Sequence, residues 1–339
     1  MAQLCTIRRH GVTLVEVLIS LGVVGILVAI SLGLVQSLRE RSRRLSCSVR
    51  LRDLGIACQS HVAQEQVLPY TAVRSGLPNK IIHSVSPHVA LIPFLDLPAG
   101  LDQFLPGDRF EILDSDGPIR FDNPINSELS ARRIVPFLCP SELTVGSGTN
   151  YRANVGFGAS YWLRPGGLEC HAPSLTADGA FENGVAIHPG RFRDGLSSTC
   201  LFSEKLIGDA NPNQFTVGSD SSYVDHETCN IDEQVTHCRR DARPDINHDS
   251  WGGTSWPLGG LRQTWYSHIV APNSPVPDCR SCRICVGGGE GIYSARSHHP
   301  GGVNVVFADA HCEFISDAID LGIWRAMSTK SGNDSVSDQ

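Results

Sequence analysis

Three cysteines in the last third of the chain have the spacing of a metal or cluster site. Cys279, Cys282 and Cys285 are separated by two residues each, and such C-x2-C steps occur in zinc and iron–sulfur sites. No distant fourth ligand follows at a familiar spacing. In an oxidising compartment, disulfides to other cysteines are the simpler outcome. The candidate partners are Cys170, Cys229 and Cys238.

Histidine and aspartate side chains gather around a predicted hairpin at residues 303–315. His299, Asp309 and His311 are potential zinc ligands, and a zinc-dependent hydrolase is the function that such a site would imply. The alternative is that Asp309 accepts hydrogen bonds from turn amides while His299 caps the incoming loop. We favour this alternative because the spacing fixes no third ligand, and we expect neither a metal nor another cofactor.

One carboxylate lies inside the longest apolar run of the chain. Residues 17–38 carry no charged side chain, and residues 14–35, at about 1.5 Å each in a helix, span a hydrocarbon core of about 30 Å. Glu16 would cost about 2.5 kcal/mol or more in that environment, so we expect a partner for its charge. The alternative is that the Glu16 side chain extends to the near membrane interface.

The spacing of Gly11 and Glu16 resembles the class III signal of type IV pilins and type II secretion pseudopilins. A short basic leader precedes Gly11, and the motif T-L-V-E-V-L-I occupies residues 13–19. The resemblance implies that a prepilin peptidase cuts between Gly11 and Val12 and methylates the new N-terminus. It also implies that Glu16 meets the terminal amine of a neighbouring subunit. Val12 departs from the phenylalanine usual in these families.

A secretory signal peptide is the competing interpretation of this N-terminus. It does not fit the charge of Glu16, the apolar length or the lack of a small-x-small cleavage site. Charge bias is ambiguous, because arginines lie on both sides of the run. They are Arg8, Arg9, Arg39, Arg41, Arg43 and Arg44. The pilin-like signal decides for a cytoplasmic N-terminus, since its peptidase acts on that side.

The totals are those of a globular protein. Of the 339 residues, 41% are hydrophobic and 19% are charged, which is ordinary for a globular chain. Removing the two arginines of the leader takes the net charge from -7 to -9, which gives no support for nucleic-acid binding. Of the 12 cysteines, Cys5 lies in the leader. The odd number left predicts a free thiol or an intermolecular bond.

The pattern predicts one long helix from about residue 12 to about residue 64. Its outer half carries apolar residues near helical spacing and should pack on a globular head. Gly55 indicates a close contact or a slight bend. For a bond from this stem to the head, the best candidates are Cys47 and Cys139.

The rest of the chain alternates between turn-rich and regular segments. Residues 69–136 are rich in turns, with loops at 100–130. The C-terminal hairpin is followed by a predicted helix at 317–327, capped by Ser316. We divide the chain into a leader at 1–11, a transmembrane helix at 12–38, a stem at 39–66, a head at 67–207, a cysteine-rich insertion at 208–292, a C-terminal hairpin and helix at 293–327, and a frayed polar tail at 328–339.

The order of motifs resembles a large bacterial family of pilin-like proteins that carries a domain of unknown function and a C-terminal His-x9-Asp-Gly signature. The resemblance rests on the N-terminus and on five stretches: Cys47 to His61, residues 137–142, 150–156 and 194–204, and Ser297 to Ile315. The signature corresponds to His299 and Asp309. Ala310 replaces its glycine, and alanine is disfavoured at positive φ.

These observations predict an α+β protein in which a long N-terminal helix packs on an antiparallel head. We expect a structural subunit, not an enzyme, that assembles with other pilin-like subunits in a type II secretion or type IV pilus-like system. It would be anchored once in the inner membrane, with its head in the periplasm or outside the cell. A membrane-tethered protein that binds or sorts cargo is the alternative, and a zinc-dependent hydrolase is a weaker one.

Overall fold

The computed structural model describes residues 13–76, 81–106, 110–112, 119–144, 146–157, 178–224, 228, 230–242, 248–281 and 291–332. The chain divides into two compact units, Met1–Arg43 and Arg44–Gln339. We call the second the head unit.

A single helix, α1 (Leu14–Glu65), begins close to the predicted residue and ends one residue beyond the predicted end. An 18-residue window of it has a mean hydropathy of 2.7, so by length and composition it can cross a membrane. The side chains of residues 14–30 are all exposed in the isolated chain. Such an apolar surface needs lipid or other helices around it.

Within the head unit, α1 buries one face. Cys47, Leu51, Leu54, Cys58 and His61 are all less than 9% exposed, and their alternating spacing of four and three residues places them on one side of a helix. The opposite side carries apolar residues that remain exposed, namely Leu45, Val49 and Ile56. Amphipathic packing of the stem is therefore as predicted, although two cysteine side chains and an imidazole supply part of the buried face.

Thirteen strands and four further helices occupy the described part of the head unit. The helices are α2 (Pro87–Leu91), α3 (Pro124–Ala131), α4 (Ile231–Asp241) and α5 (Leu321–Ala326). The strands are β1 (Ala72–Gly76), β2 (Ile81–Val85), β3 (Phe110–Ile112), β4 (Ile119–Phe121), β5 (Tyr151–Asn154), β6 (Cys200–Glu204), β7 (Ser221–Tyr223), β8 (His248–Asp249), β9 (Trp265–Tyr266), β10 (Asp278–Arg280), β11 (Gly291–Ile292), β12 (Gly302–Phe307) and β13 (Cys312–Ser316).

Five of these strands form the central sheet, in the order β13-β12-β6-β5-β9. Its neighbours are antiparallel except for β5 and β9, which run parallel. Every residue of β6 and β12 is buried, because both strands are central and covered on both faces. The predicted hairpin is β12–β13. The fold class is α+β, as the sequence predicts.

The predicted insertion at 208–292 is not a separate appendage. Its strand β9 forms an edge of the central sheet, and Trp256, Leu258 and Leu261 belong to the same hydrophobic core as Leu51 of the stem. Only its outer strands β7, β8, β10 and β11 form a sheet of their own. The prediction missed this division because it followed cysteine content, whereas apolar burial decides which residues join the core.

Buried ion pairs hold this outer part of the segment to the rest of the head. Asp249 accepts two hydrogen bonds from Arg262, at 2.6 and 3.0 Å. Burial alone would raise the pKa of Asp249, but Arg262 and Arg280 lower it to about 2, so the carboxylate stays charged. Asp278 pairs in the same way with Lys205 and Arg296.

Residues 100–130 were predicted as loops and contain more structure than that. Strands β3 and β4 close a four-stranded sheet with β1 and β2. Helix α3 follows, with Pro124 in its first turn and Asn123 as N-cap, whose side chain accepts a hydrogen bond from the Ile125 amide. Proline is typical of loops, but Pro124 here lies in the first turn of a helix that Asn123 caps.

The C-terminal helix and tail also differ from prediction. Helix α5 begins at Leu321 with Asp320 as its cap, whereas Ser316 ends β13. The predicted frayed tail is buried at Ser328, Thr329 and Lys330. Lys330 lies between Asp178 and Glu182, so its charge is neutralised inside the protein. A polar composition did not reveal these long-range ion pairs.

Gly55 is a point of close approach between the stem and the central sheet. A Cβ atom at this position would lie 2.7 Å from Val306 Cγ2 and 3.2 Å from the Ala310 Cα. We predict that Gly55→Ala lowers the free energy of unfolding by about 1–2 kcal/mol, because overpacking exceeds the helix propensity gained. Urea unfolding of the detergent-solubilised chain measures this.

The Val306→Ala variant provides the control for this experiment. It removes the nearest methyl group, so Gly55→Ala should cost less in that background than in the wild type. An equal cost in both backgrounds would show that the contact with Val306 is not the cause.

Candidate functional site

Two places in the described chain bring chemically active side chains together, and the first is the start of α1. Glu16 accepts hydrogen bonds from the backbone amide of Thr13 at 2.8 Å and from its hydroxyl at 2.9 Å. The Thr13 hydroxyl accepts one in return from the Glu16 amide, at 3.3 Å. This is a capping box, which satisfies donors at a helix N-terminus. Gly11 and Val12, the predicted cleavage site, lie outside the described residues.

The second place is a cluster in the head unit that we call the buried centre, formed by Cys47, Cys139, Glu204 and His299. A disulfide joins Cys47 of the stem to Cys139, the pair that sequence analysis selected. His299 Nε2 lies 3.5 Å from Cys139 Sγ and 3.3 Å from Glu204 Oε1. All four residues are buried, and their ligand atoms lie within 4.8 Å of one another.

Four separate elements position the buried centre. Cys47 is on the buried face of α1, and Glu204 is the last residue of β6. Cys139 and His299 come from loops before β5 and β12. Asn304 orients Glu204. Its backbone N–H donates to Glu204 Oε2 at 2.8 Å, and its side-chain Nδ2 donates to Oε1 at 3.0 Å. These two hydrogen bonds hold the Glu204 carboxylate facing the His299 imidazole.

Further hydrogen bonds hold the two half-cystines in place. The Cys139 amide donates to Asn150 Oδ1 at 2.9 Å, and the Ser141 amide donates to Cys139 Sγ at 3.4 Å. The Tyr151 hydroxyl donates to the Cys47 carbonyl at 3.3 Å. Burial, followed by the charge of Glu204, raises the pKa of Tyr151, so this hydroxyl stays a donor.

Each of the five stretches that carry the family resemblance supplies at least one residue to this region. They include Cys47, Cys139, Asn150, Glu204 and His299. Sequence analysis did not identify Glu204. The signal that could have found it is an acid at the end of an apolar strand, since a carboxylate is seldom buried without a partner.

The other predicted cysteines have different fates. Cys279 forms a disulfide with Cys238, which was one of its three candidate partners. Cys282, Cys285, Cys170 and Cys229 lie outside the described residues. Among those that the structure describes, Cys58, Cys200 and Cys312 are free thiols. Burial raises the pKa of Cys312 to about 12, with a further contribution from Glu204.

His299, Asp309 and His311 do not come together, contrary to the zinc hypothesis. His299 precedes β12 and Asp309 follows it, so this six-residue strand, rising about 3.3 Å per residue, separates them. Asp309 Oδ1 instead accepts hydrogen bonds from the His311 amide at 3.0 Å and from His311 Nδ1 at 2.6 Å. The structure agrees with the alternative interpretation, in which Asp309 accepts a hydrogen bond from an amide of the turn. His299 belongs to the buried centre.

Ala310 adopts the conformation that its residue type disfavours. Its φ is +69°, in the left-handed region where glycine is usual. The turn has thus kept the geometry of a glycine turn although glycine is absent. Alanine at this φ carries a conformational cost that glycine would not.

Two family models match this chain. The prokaryotic N-terminal methylation motif matches residues 7–32, which gives the N-terminus the signal of type IV pilin-like proteins. The family described as a protein of unknown function (DUF1559) matches residues 36–322. The chain belongs to this family. No curated protein and no solved structure matches it.

We predict that Ala310→Gly raises the free energy of unfolding by up to about 1 kcal/mol. Alanine in the left-handed region costs about 1–2 kcal/mol, of which the greater chain entropy of unfolded glycine offsets a part. Urea unfolding measures the change. Ala308→Gly is the matched control: Ala308 is also buried, lies in the same turn and is not among the residues with positive φ. This control should destabilise the protein, and an equal response of both variants would argue against strain at Ala310.

Removing the disulfide of the buried centre should cost much more. The bond closes a separation of 92 residues, and loops of that length predict a loss of about 2–5 kcal/mol in the Cys47→Ser/Cys139→Ser variant. Thermal or urea unfolding measures this loss. Cys312→Ser, which changes a free and half-buried thiol, should lower stability by less than about 1 kcal/mol. Equal stability of the double variant and the wild type would contradict the prediction.

Proposed function

We propose that this protein is a single-pass, membrane-anchored structural subunit of a type II secretion or type IV pilus-like assembly. The observation that carries the proposal is the methylation motif at residues 7–32, which leads into a helix long and apolar enough to span a membrane. This motif implies processing by a prepilin peptidase. We infer that the cut falls between Gly11 and Val12, leaving Glu16 as the fifth residue of the mature chain.

Glu16 is the residue that we propose for assembly. In the isolated chain its carboxylate is bonded by Thr13 at the start of α1, but Thr13 supplies no charge. In hydrocarbon, an uncompensated carboxylate and an uncompensated amine are both strongly disfavoured, so each stabilises the other. Pairing of Glu16 with the Val12 amine of a neighbour would therefore favour adding a subunit.

The proposed topology and segments follow from the same signal. The leader at 1–11 is cytoplasmic, the span at 12–38 lies in the inner membrane, and the stem at 39–66 leads to a head in the periplasm or outside the cell. The disulfides Cys47–Cys139 and Cys238–Cys279 support an oxidising compartment. We also assign His299 and Asp309 to the family's C-terminal signature, in which Ala310 replaces glycine.

A structural role rather than an enzymatic one is the proposal for the head. The pilin-like motif indicates a subunit of an assembly, and the ligand set proposed for a zinc hydrolase is divided between the two ends of β12. The buried centre lies inside the head with each side chain less than 9% exposed. Such a place can hold elements together but offers little room for a substrate.

The decisive variant is Glu16→Ala, expressed in the native host. We expect it to be inserted and cleaved after Gly11 but to give at least about tenfold less crosslinking between subunits, because the neighbouring amine loses its counter-charge. Crosslinking of intact membranes, followed by mass spectrometry, measures assembly and the processed N-terminus together.

Thr13→Ala is the matched control, because it removes the side-chain part of the capping box and leaves the carboxylate. If Glu16 serves only to cap its own helix, both variants will have similar defects. If Glu16→Ala still assembles and export proceeds normally, the filament role is wrong, and a membrane-tethered binding or sorting protein becomes the better explanation.

A further inference from the structure

The buried centre has the composition of a metal site as well as of a disulfide. Two sulfur atoms, an imidazole nitrogen and a carboxylate oxygen face one another, all within 4.8 Å. A purely structural disulfide needs no histidine and no glutamate beside it. The disulfide alone therefore does not explain why the His299 imidazole and the Glu204 carboxylate are buried at the same point.

Two of the distances already match those of a tetrahedral zinc site. Zinc bonds of about 2.0–2.3 Å to nitrogen, oxygen and sulfur place neighbouring ligand atoms roughly 3.3–3.8 Å apart. His299 Nε2 lies 3.3 Å from Glu204 Oε1 and 3.5 Å from Cys139 Sγ. The two sulfurs, bonded to each other in the disulfide, must separate to complete the tetrahedron, and the other ligand atoms already lie within 4.8 Å of one another.

The surroundings of these groups resemble the outer shell of a metal centre. Asn304 fixes both oxygens of Glu204, and the Ser141 amide donates to Cys139 Sγ. Hydrogen bonds of this kind orient ligands and stabilise a thiolate. Cys139 is the most exposed of the four residues, at 7%.

We propose that, when Cys47 and Cys139 are reduced, these thiolates bind one Zn²⁺ together with His299 and Glu204. The centre then has two mutually exclusive states, disulfide and metal-bound, and both link the stem to the head. From the disulfide, an external dithiol supplies two electrons and two protons and becomes a disulfide itself. Binding of Zn²⁺ then releases the two thiol protons to solvent. A newly made chain starts with free thiols and needs no reductant.

The test uses the full-length protein in detergent, reduced with a water-soluble phosphine and titrated with Co²⁺ as a spectroscopic probe. Reduction also leaves Cys279, Cys282 and Cys285 as thiols at C-x2-C spacing, which could bind the probe, so the titration is done in a background with all three changed to serine. We expect one Co²⁺ per chain with the absorption of a tetrahedral cobalt–thiolate site, and its displacement by Zn²⁺. The oxidised protein should give no such absorption.

Variants in the same background assign the ligands. Cys47→Ser/Cys139→Ser should abolish the absorption, and His299→Gln and Glu204→Gln should each weaken binding by more than about 100-fold. Asn304→Ala, which acts only through Glu204, should weaken it by about 10–100-fold. His298→Gln is the matched control, since this neighbouring histidine faces Glu142 at 3.9 Å. It should leave the affinity unchanged.

A second measurement keeps the proposal testable if a variant does not fold. In the reduced wild type, one equivalent of Zn²⁺ should slow alkylation of Cys47 and Cys139 at least about tenfold, while the already slow alkylation of the buried Cys58 should not change. Mass spectrometry of the alkylated peptides reads this out. Absence of the cobalt–thiolate absorption, or binding without protection of these two cysteines, overturns the proposal.

Discussion

The packing of one face of α1 against the central sheet is the constraint on which the head depends. Leu51 and Leu54 belong to the main hydrophobic core, and Cys47 adds a covalent bond one turn earlier. Gly55 allows the hairpin turn to approach the helix, and the buried centre lies along the same seam. Loss of this contact would expose the core and remove Cys47 from the other three residues of the buried centre.

The features that could be predicted are those that depend on local sequence patterns. The long helix, the amphipathic stem and the C-terminal hairpin depend on residues close together in the chain. The pairing of Cys47 with Cys139 is the exception, because it joins distant residues. This pair could be predicted because cysteines in an oxidising compartment form disulfides with other cysteines, which limits the candidate partners.

What the sequence did not reveal depends on contacts between distant segments. Glu204 meets His299 across 95 residues of chain, and Lys330 meets Asp178 across 152. No regular spacing in the sequence predicts either pair. The error over residues 208–292 has the same origin: Trp265 is a core residue because β9 pairs with β5, a strand that lies more than 100 residues earlier. Composition cannot show which edge of a sheet a short segment will join.

The last described residues have a consequence for the order in which the head is made. The Asn154 side chain, in the central sheet, donates to the carbonyls of Cys200 and Ser328, at 2.8 and 2.7 Å, and the Lys330 carbonyl accepts from the Arg193 amide. Until the residues around 328 have been synthesised, the Asn154 side chain therefore lacks one of its two acceptors. A sheet that folds before that point would leave one buried N–H of Asn154 unsatisfied, at a cost of about 1–3 kcal/mol, so the packing of this region is completed late.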